Sequence, residues 1–198
     1  MIPKYNPTRI FMDVMRLKYR MMLPSIALVV ASFVANFYVE TPVLRWLAVV
    51  ALLGYFVVFF AYRLRRLVPP DEPGAMLSPV CGKIAAVHQH PTETEVVIRK
   101  RMFDAADVRN ALSGETPADP RTVRNAAGDA SWRITAGRFH LLDDRRGLQG
   151  RLMGVFPFGG ECRVMLAKTW TVDVVPGQPV SAGETVIGRQ DEGETDSA

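Results

Sequence analysis

Two apolar runs, residues 21–39 and 46–62, are almost free of charge and stand only six residues apart. As helices they would be about 28 and about 25 Å long at the usual rise per residue, close to the hydrocarbon thickness of a bilayer. The second run holds three Leu, four Val and three Phe. At a few tenths of a kcal/mol each, these residues favour insertion by roughly 3–6 kcal/mol. The alternative, two core helices of a soluble protein, fails because nothing in the rest of the 198-residue chain could cover them. A shallow re-entrant hairpin is the remaining alternative, given the short second run. Pro24 is expected in the first turn of the first span, where its missing N–H costs little. Asn36 is expected near the far interface.

The link Glu40–Arg45 is short enough to force an antiparallel hairpin with both ends on one side. Lys4, Arg9, Arg16, Lys18 and Arg20 precede the hairpin, and Arg63, Arg65 and Arg66 follow it. The positive-inside rule then predicts a multi-pass protein of the bacterial inner membrane, with both termini and the main domain cytoplasmic. No cleaved leader is expected, because the first run is too long for one and no small-residue cleavage site follows it. The net charge of +4 is concentrated beside the apolar runs, which argues for membrane topology and against nucleic acid as a partner. Arg63, Arg65 and Arg66 are also candidates for anionic lipid headgroups, at about 1 kcal/mol each. The plainer reading is that they only set topology. Ser32, Asn36 and Gly54 are candidates for helix–helix contacts within the membrane.

The expected organisation is a basic segment over 1–20, a transmembrane hairpin over 21–62 and a connector over 63–75. A β-rich domain over 76–190 and an acidic, disordered tail over 191–198 complete it. Pro69, Pro70 and Pro73 with Gly74 break the helix. Strands are predicted at 82–88, 94–102, 131–136, 163–167 and 169–175, rich in Val, Ile, Thr and Trp. The segment 104–112 reads as short helix or irregular, and 115–130 as a surface loop.

Several motifs in this domain occur in order. Phe59-Phe60-Ala61-Tyr62-Arg63 leads into Leu77-Ser78-Pro79-Val80-Cys81-Gly82-Lys83-Ile84, then Asp107-Val108-Arg109-Asn110, then Phe156-Pro157-Phe158-Gly159-Gly160. Val174 to Gly188 closes the series with Val180-Ser181-Ala182-Gly183-Glu184-Thr185. Together they resemble the phosphatidylserine decarboxylase family, in its short, membrane-anchored bacterial and archaeal form. The resemblance covers roughly residues 20–190. It implies an α+β, mostly β domain behind the hairpin. It also implies a Ser after Phe-Gly that attacks the preceding carbonyl, breaks the chain and becomes a pyruvoyl electron sink. An Asp and a His would activate that Ser. Here the three positions hold Gly160, Cys81 and Arg109. Gly160 has no oxygen to attack with, and Arg does not act as a base at neutral pH. The pyruvoyl cofactor is therefore not formable.

If the resemblance holds, Cys81 and the strand bearing Gly160 and Cys162 meet in one pocket. Residues i and i+2 of a strand share a face, so Cys81 and Cys162 form a candidate thiol pair. The plainer reading is two small buried apolar side chains. His88, His90 and His140 match no standard zinc spacing, so no metal is expected. The final turn also resembles biotinyl- and lipoyl-type barrels, yet no Lys stands at its tip. The expectation is a catalytically inactive decarboxylase-like membrane protein, a subunit or scaffold of a membrane complex that contacts membrane lipids and other membrane-protein subunits. The alternatives are an active aminophospholipid decarboxylase and an adaptor of a transport or energy-transducing complex.

Overall fold

A computed structural model describes residues 7–39, 41–65, 72, 74–112, 116–119, 121–124, 129–142 and 148–190. The chain divides into two compact units, Met1–Arg63 and Leu64–Ala198. The expected acidic tail, Arg66, and the prolines at 69, 70 and 73 lie outside the described residues.

The first unit is a pair of helices, α1 (Pro7–Tyr38) and α2 (Pro42–Ala61). Both are long and apolar enough to cross a bilayer. They run antiparallel: Lys18 Nζ lies 4.0 Å from the centre of the Phe59 ring, while a β-carbon at Gly54 would meet Ser25 Oγ at 3.5 Å. Gly54 thus supports helix contact, and its partner is Ser25. Ser32 is buried, and its hydroxyl has no hydrogen-bond partner among the described residues. Phe33, Phe37, Trp46 and Leu53 point outward at 60–82% exposure. A helix pair apolar on its outer as well as its inner face suits an apolar solvent.

Three expectations for the hairpin are corrected. α1 begins at Pro7 rather than near Met21, because a proline suits the first helical turn and no stop signal intervenes. Pro24 consequently sits inside α1, not in its first turn, and removes one i→i−4 hydrogen bond there. The link is shorter than six residues, since α2 starts at Pro42 with Thr41 as its extended N-cap residue. A proline at that position is pre-set to the helical φ.

The second unit is β-structure. Its strands are β1 (Ala75–Leu77), β2 (Gly82–Gln89), β3 (Glu93–Lys100), β4 (Asp107–Arg109), β5 (Thr116–Asp119) and β6 (Thr122–Arg124). There follow β7 (Ala130–Ala136), β8 (His140–Leu141), β9 (Leu152–Val155), β10 (Gly160–Ala167), β11 (Trp170–Val172), β12 (Pro179–Val180) and β13 (Val186–Gln190). The main sheet has the order β12-β2-β3-β10-β7-β6-β5, and two three-stranded sheets run β4-β9-β8 and β1-β13-β11. β10 is the spine, antiparallel to β3 on one side and β7 on the other. Its Cys162, Val164 and Leu166 are fully buried while Arg163 is exposed, the period-two pattern of a half-buried strand. Trp132, Ile134, Ile98, Ile84 and Phe156 complete that core.

Two further expectations are corrected in this unit. The segment 104–112 contains β4, whose three residues are all buried. Its strand character was hidden because Asp107 and Arg109 flank Val108 with charges that pair with each other. The segment 115–130 contains the hairpin β5–β6, which extends the main sheet past β7. Its Pro and Gly content pointed to a loop, but a proline is tolerated on an edge strand.

Trp132 is the largest fully buried side chain of the core. Trp132→Ala is expected to cost about 3–5 kcal/mol, read as a lowered melting temperature of the full chain in mild detergent.

Candidate functional site

The chain enters β10 through an elbow. Phe158 has φ 61°, Gly159 82° and Gly160 150°, three successive residues at positive φ. Only glycine takes such angles without strain, so Phe158 carries local strain between two well-held flanks. One flank is Phe156, fully buried, whose N–H donates to Ala106 O at 2.7 Å. The other is the ladder of β10, where Gly160 pairs with Lys100 and Glu161 with Arg99.

Both glycines are demanded by their neighbours. A β-carbon at Gly159 would stand 2.8 Å from Lys100 O. At Gly160 it would overlap Ala136 O and lie 2.6 Å from Phe156 Cζ. Gly160 is therefore closed to any side chain in this backbone, serine included.

The other two positions picked out by the resemblance lie near the same end of the main sheet. Lys83, Arg99 and Glu161 form one row across β2, β3 and β10, and Cys81 immediately precedes β2. An isolated bridge joins Val80 to Val108, and Arg109 N–H donates to Pro79 O at 2.9 Å. Cys81 is buried with Ala105 and Ala182. Its sulfur accepts the Ala182 N–H at 3.3 Å. Burial, and next the negative charge of Asp107, push the thiol up to about 11, against the Ala182 N–H, Arg65 and Lys100. It is a protonated, poorly nucleophilic thiol at neutral pH.

Arg109 is a strut. Its Nε donates to Asp107 Oδ2 at 2.8 Å, its Nη1 to Gly150 O at 2.9 Å, and its Nη2 to Arg65 O at 2.8 Å. Asp107 is 1% exposed, so the pair is a buried one. Sequence reasoning missed Lys100, which is 3% exposed. Its Nζ donates to Asp104 O at 2.8 Å and Arg101 O at 3.2 Å. The alternation of β3 was the available signal, since Lys100 follows Val96 and Ile98 on one face.

The remaining candidates separate. Cys162 lies in the main core opposite Ile98 and Ile134, whereas Cys81 belongs to a different cluster. The two do not form a disulfide. Arg63 is exposed at the end of the first unit. Arg65 donates to Ser181 Oγ at 2.8 Å and stands 3.8 Å from Glu184, engaged with the β unit's own turn. His88 and His90 lie at the far end of β2, His90 3.9 Å from Glu95, and His140 lies on β8. Burial, then Arg138, lowers the pKa of His140. Among the described residues no group of three or more His, Cys, Asp or Glu could hold a metal.

The arrangement braces backbone; it presents no activated nucleophile. Gly160→Ser is expected to lower the melting temperature without producing chain cleavage, read on a denaturing gel. In a Cys162→Ala chain, alkylation of Cys81 is expected to be slow at pH 8, where about one thiol in a thousand is ionised. Its rate should rise about ten-fold per pH unit until the pH approaches 11. No family model, curated protein or solved structure matches the chain.

Proposed function

We propose that this chain is a catalytically inactive, phosphatidylserine-decarboxylase-like membrane protein that acts as a subunit or scaffold of a membrane complex. In this reading the hairpin anchors it in a bacterial inner membrane, and the β unit stays on the cytoplasmic side with the termini. One observation carries the reading: the position where the resemblance requires a serine is Gly160, and the backbone there admits no β-carbon. The other two positions point the same way. Cys81 keeps its proton, and Arg109 is spent in three hydrogen bonds that hold neighbouring segments.

The hairpin supports the membrane part. Its outward faces carry Phe33, Phe37, Trp46 and Leu53, which water would not solvate favourably. Such a helix pair remains stable in lipid because its backbone polar groups are satisfied internally. The small residue at Gly54, close against Ser25, allows tight helix packing.

Native mass spectrometry of the chain extracted from its own membrane in mild detergent tests the proposal. The expected result is one uncleaved chain bound to defined partner subunits. Two noncovalently joined fragments, one with a blocked N-terminus, would restore a decarboxylase. Phosphatidylethanolamine formation in a decarboxylase-deficient host expressing the chain would do the same.

A further inference from the structure

We propose that a basic cleft at the start of β2 and the end of β3 takes the phosphate of an anionic phospholipid and docks the β unit on a negatively charged bilayer. The inference rests on the membrane-anchored reading above, but not on the identity of the scaffold. The cleft has a volume of about 360 Å³ and is lined by Lys83, Ile84, Ala85, Arg99, Arg101 and Gly177. Three of the six are cations, and none of the six is an acid.

The sheet register explains the concentration of charge. Lys83 on β2 is the cross-strand partner of Arg99 on β3, and partners in a ladder project to one face. Arg101 follows one residue past the end of β3, where the chain turns and Asp104 N–H donates to Arg101 O at 3.2 Å. On the other side, the turn through Gly177 is stitched to β2. Gly177 N–H donates to Ile84 O at 2.8 Å, and Ile84 N–H to Gln178 O at 2.9 Å. A β-carbon at Gly177 would reach Lys83 Cε at 3.9 Å, so the turn forms a wall beside the lysine stem.

The acids near this row are already engaged, Asp104 Oδ2 by the Arg101 N–H at 2.6 Å. Glu161 is the cross-strand partner of Arg99, but its carboxylate is held by Arg163 Nε at 2.9 Å and by Thr135 at 3.1 Å. Glu95, further along β3, takes Arg163 Nη1 at 2.9 Å. Lys83, Arg99 and Arg101 make no ion pair among the described residues. A phosphate, with several acceptor oxygens, is a ligand that cations lining one cleft can hold by charge-assisted hydrogen bonds.

Exposed apolar residues close in sequence to the cleft's lining favour a lipid over a soluble anion. Among the described residues of the β unit, three large hydrophobic side chains are exposed: Phe103 at 61%, Leu148 at 73% and Val175 at 64%. Phe103 lies two residues beyond Arg101, and Val175 two residues before Gly177. Two of the three therefore flank the cleft along the chain, each in a turn. Cations with a protruding aromatic or aliphatic residue beside them match a headgroup layer, which offers phosphate at the surface and hydrocarbon beneath. The tether makes the encounter local: only 21 residues separate the end of α2 at Ala61 from Lys83.

The test uses the full chain in lipid nanodiscs, followed by amide hydrogen exchange. Moving from pure phosphatidylcholine to discs with phosphatidylglycerol is expected to slow exchange at 83–85, 99–104 and 175–178 several-fold. Each basic side chain near an anionic surface strengthens association about five-fold, so Arg99→Gln should weaken docking by about that factor. Lys83→Gln/Arg99→Gln/Arg101→Gln should abolish the protection. Should that triple variant melt early, the wild-type chain still decides the matter. Raising salt from about 0.05 M to about 0.5 M shortens the screening length about three-fold and should erase the protection. Unchanged exchange on adding phosphatidylglycerol overturns the proposal while leaving the anchored scaffold intact. Equal protection by inorganic phosphate in phosphatidylcholine discs also overturns it, in favour of a soluble-anion site. A chain that does not enter discs at all removes the anchored reading, and the docking inference with it.

Discussion

Much of the β unit converges on one buried cation. The Arg109 guanidinium is shared between Asp107 on its own strand, the carbonyl of Gly150 before β9, and the carbonyl of Arg65 at the unit's entry. These segments are 41 and 44 residues from Arg109 along the chain. A buried charge is costly unless it is paired and hydrogen-bonded. Arg109 meets this with three bonds, while Asp107 Oδ2 takes Arg109 Nε and its Oδ1 has no partner among the described residues. Once Asp107 and Arg109 are inside, the loops that complete their bonds have little freedom. Removing one member of such a pair generally costs 3–5 kcal/mol, because the other is left uncompensated. Arg109 N–H also bonds Pro79 O, which fixes the segment leading to Cys81.

That bracing decides the chemistry beside it. The elbow at 158–160 brings β10 into the sheet through angles that only glycine takes freely, against the Ala136 carbonyl and the Phe156 ring. The same close approach that anchors the spine of the sheet leaves no volume for a reactive side chain. Cys81 is held by a short list of neighbours: two alanines, an amide N–H and a nearby carboxylate. Burial and that carboxylate both oppose ionisation, so the thiol behaves as a small apolar group. In its packing the region acts as a joint.

Polarity is divided over most of the main sheet, with the buried Lys100 the exception on the inner face. Its inner face is the cluster of Trp132, Ile134, Ile98, Val164 and Leu166. Its outer face carries Lys83, Arg99, Glu161 and Arg163, where Arg163 clamps Glu161 and Glu95. That clamp is what leaves the β2–β3 end positively charged. In the first unit, α2 and the second half of α1 have no such division, since large apolar side chains such as Phe33, Phe37, Trp46 and Leu53 are exposed there.

The patterns that depend on local periodicity were legible in the residues themselves. The two apolar helices, the strands β2, β3, β7 and β10, and the lack of an oxygen at position 160 all follow from composition and alternation within short windows. Helix limits were less legible, because Pro7 and Pro42 can each open a helix and nothing near Met21 marks a start. The hairpin β5–β6 and the strand β4 were not legible, since edge pairing and a buried ion pair are rewarded only by residues far away in sequence. The separation of Cys81 from Cys162, and the gathering of Lys83, Arg99, Arg101 and Gly177 around one cleft, depend on strand register. Sequence alone determined that position 160 bears no side-chain oxygen, because a missing atom needs no fold to be missing. Only the tertiary structure decided which charges stand together unpaired, because that depends on which distant strands share a row.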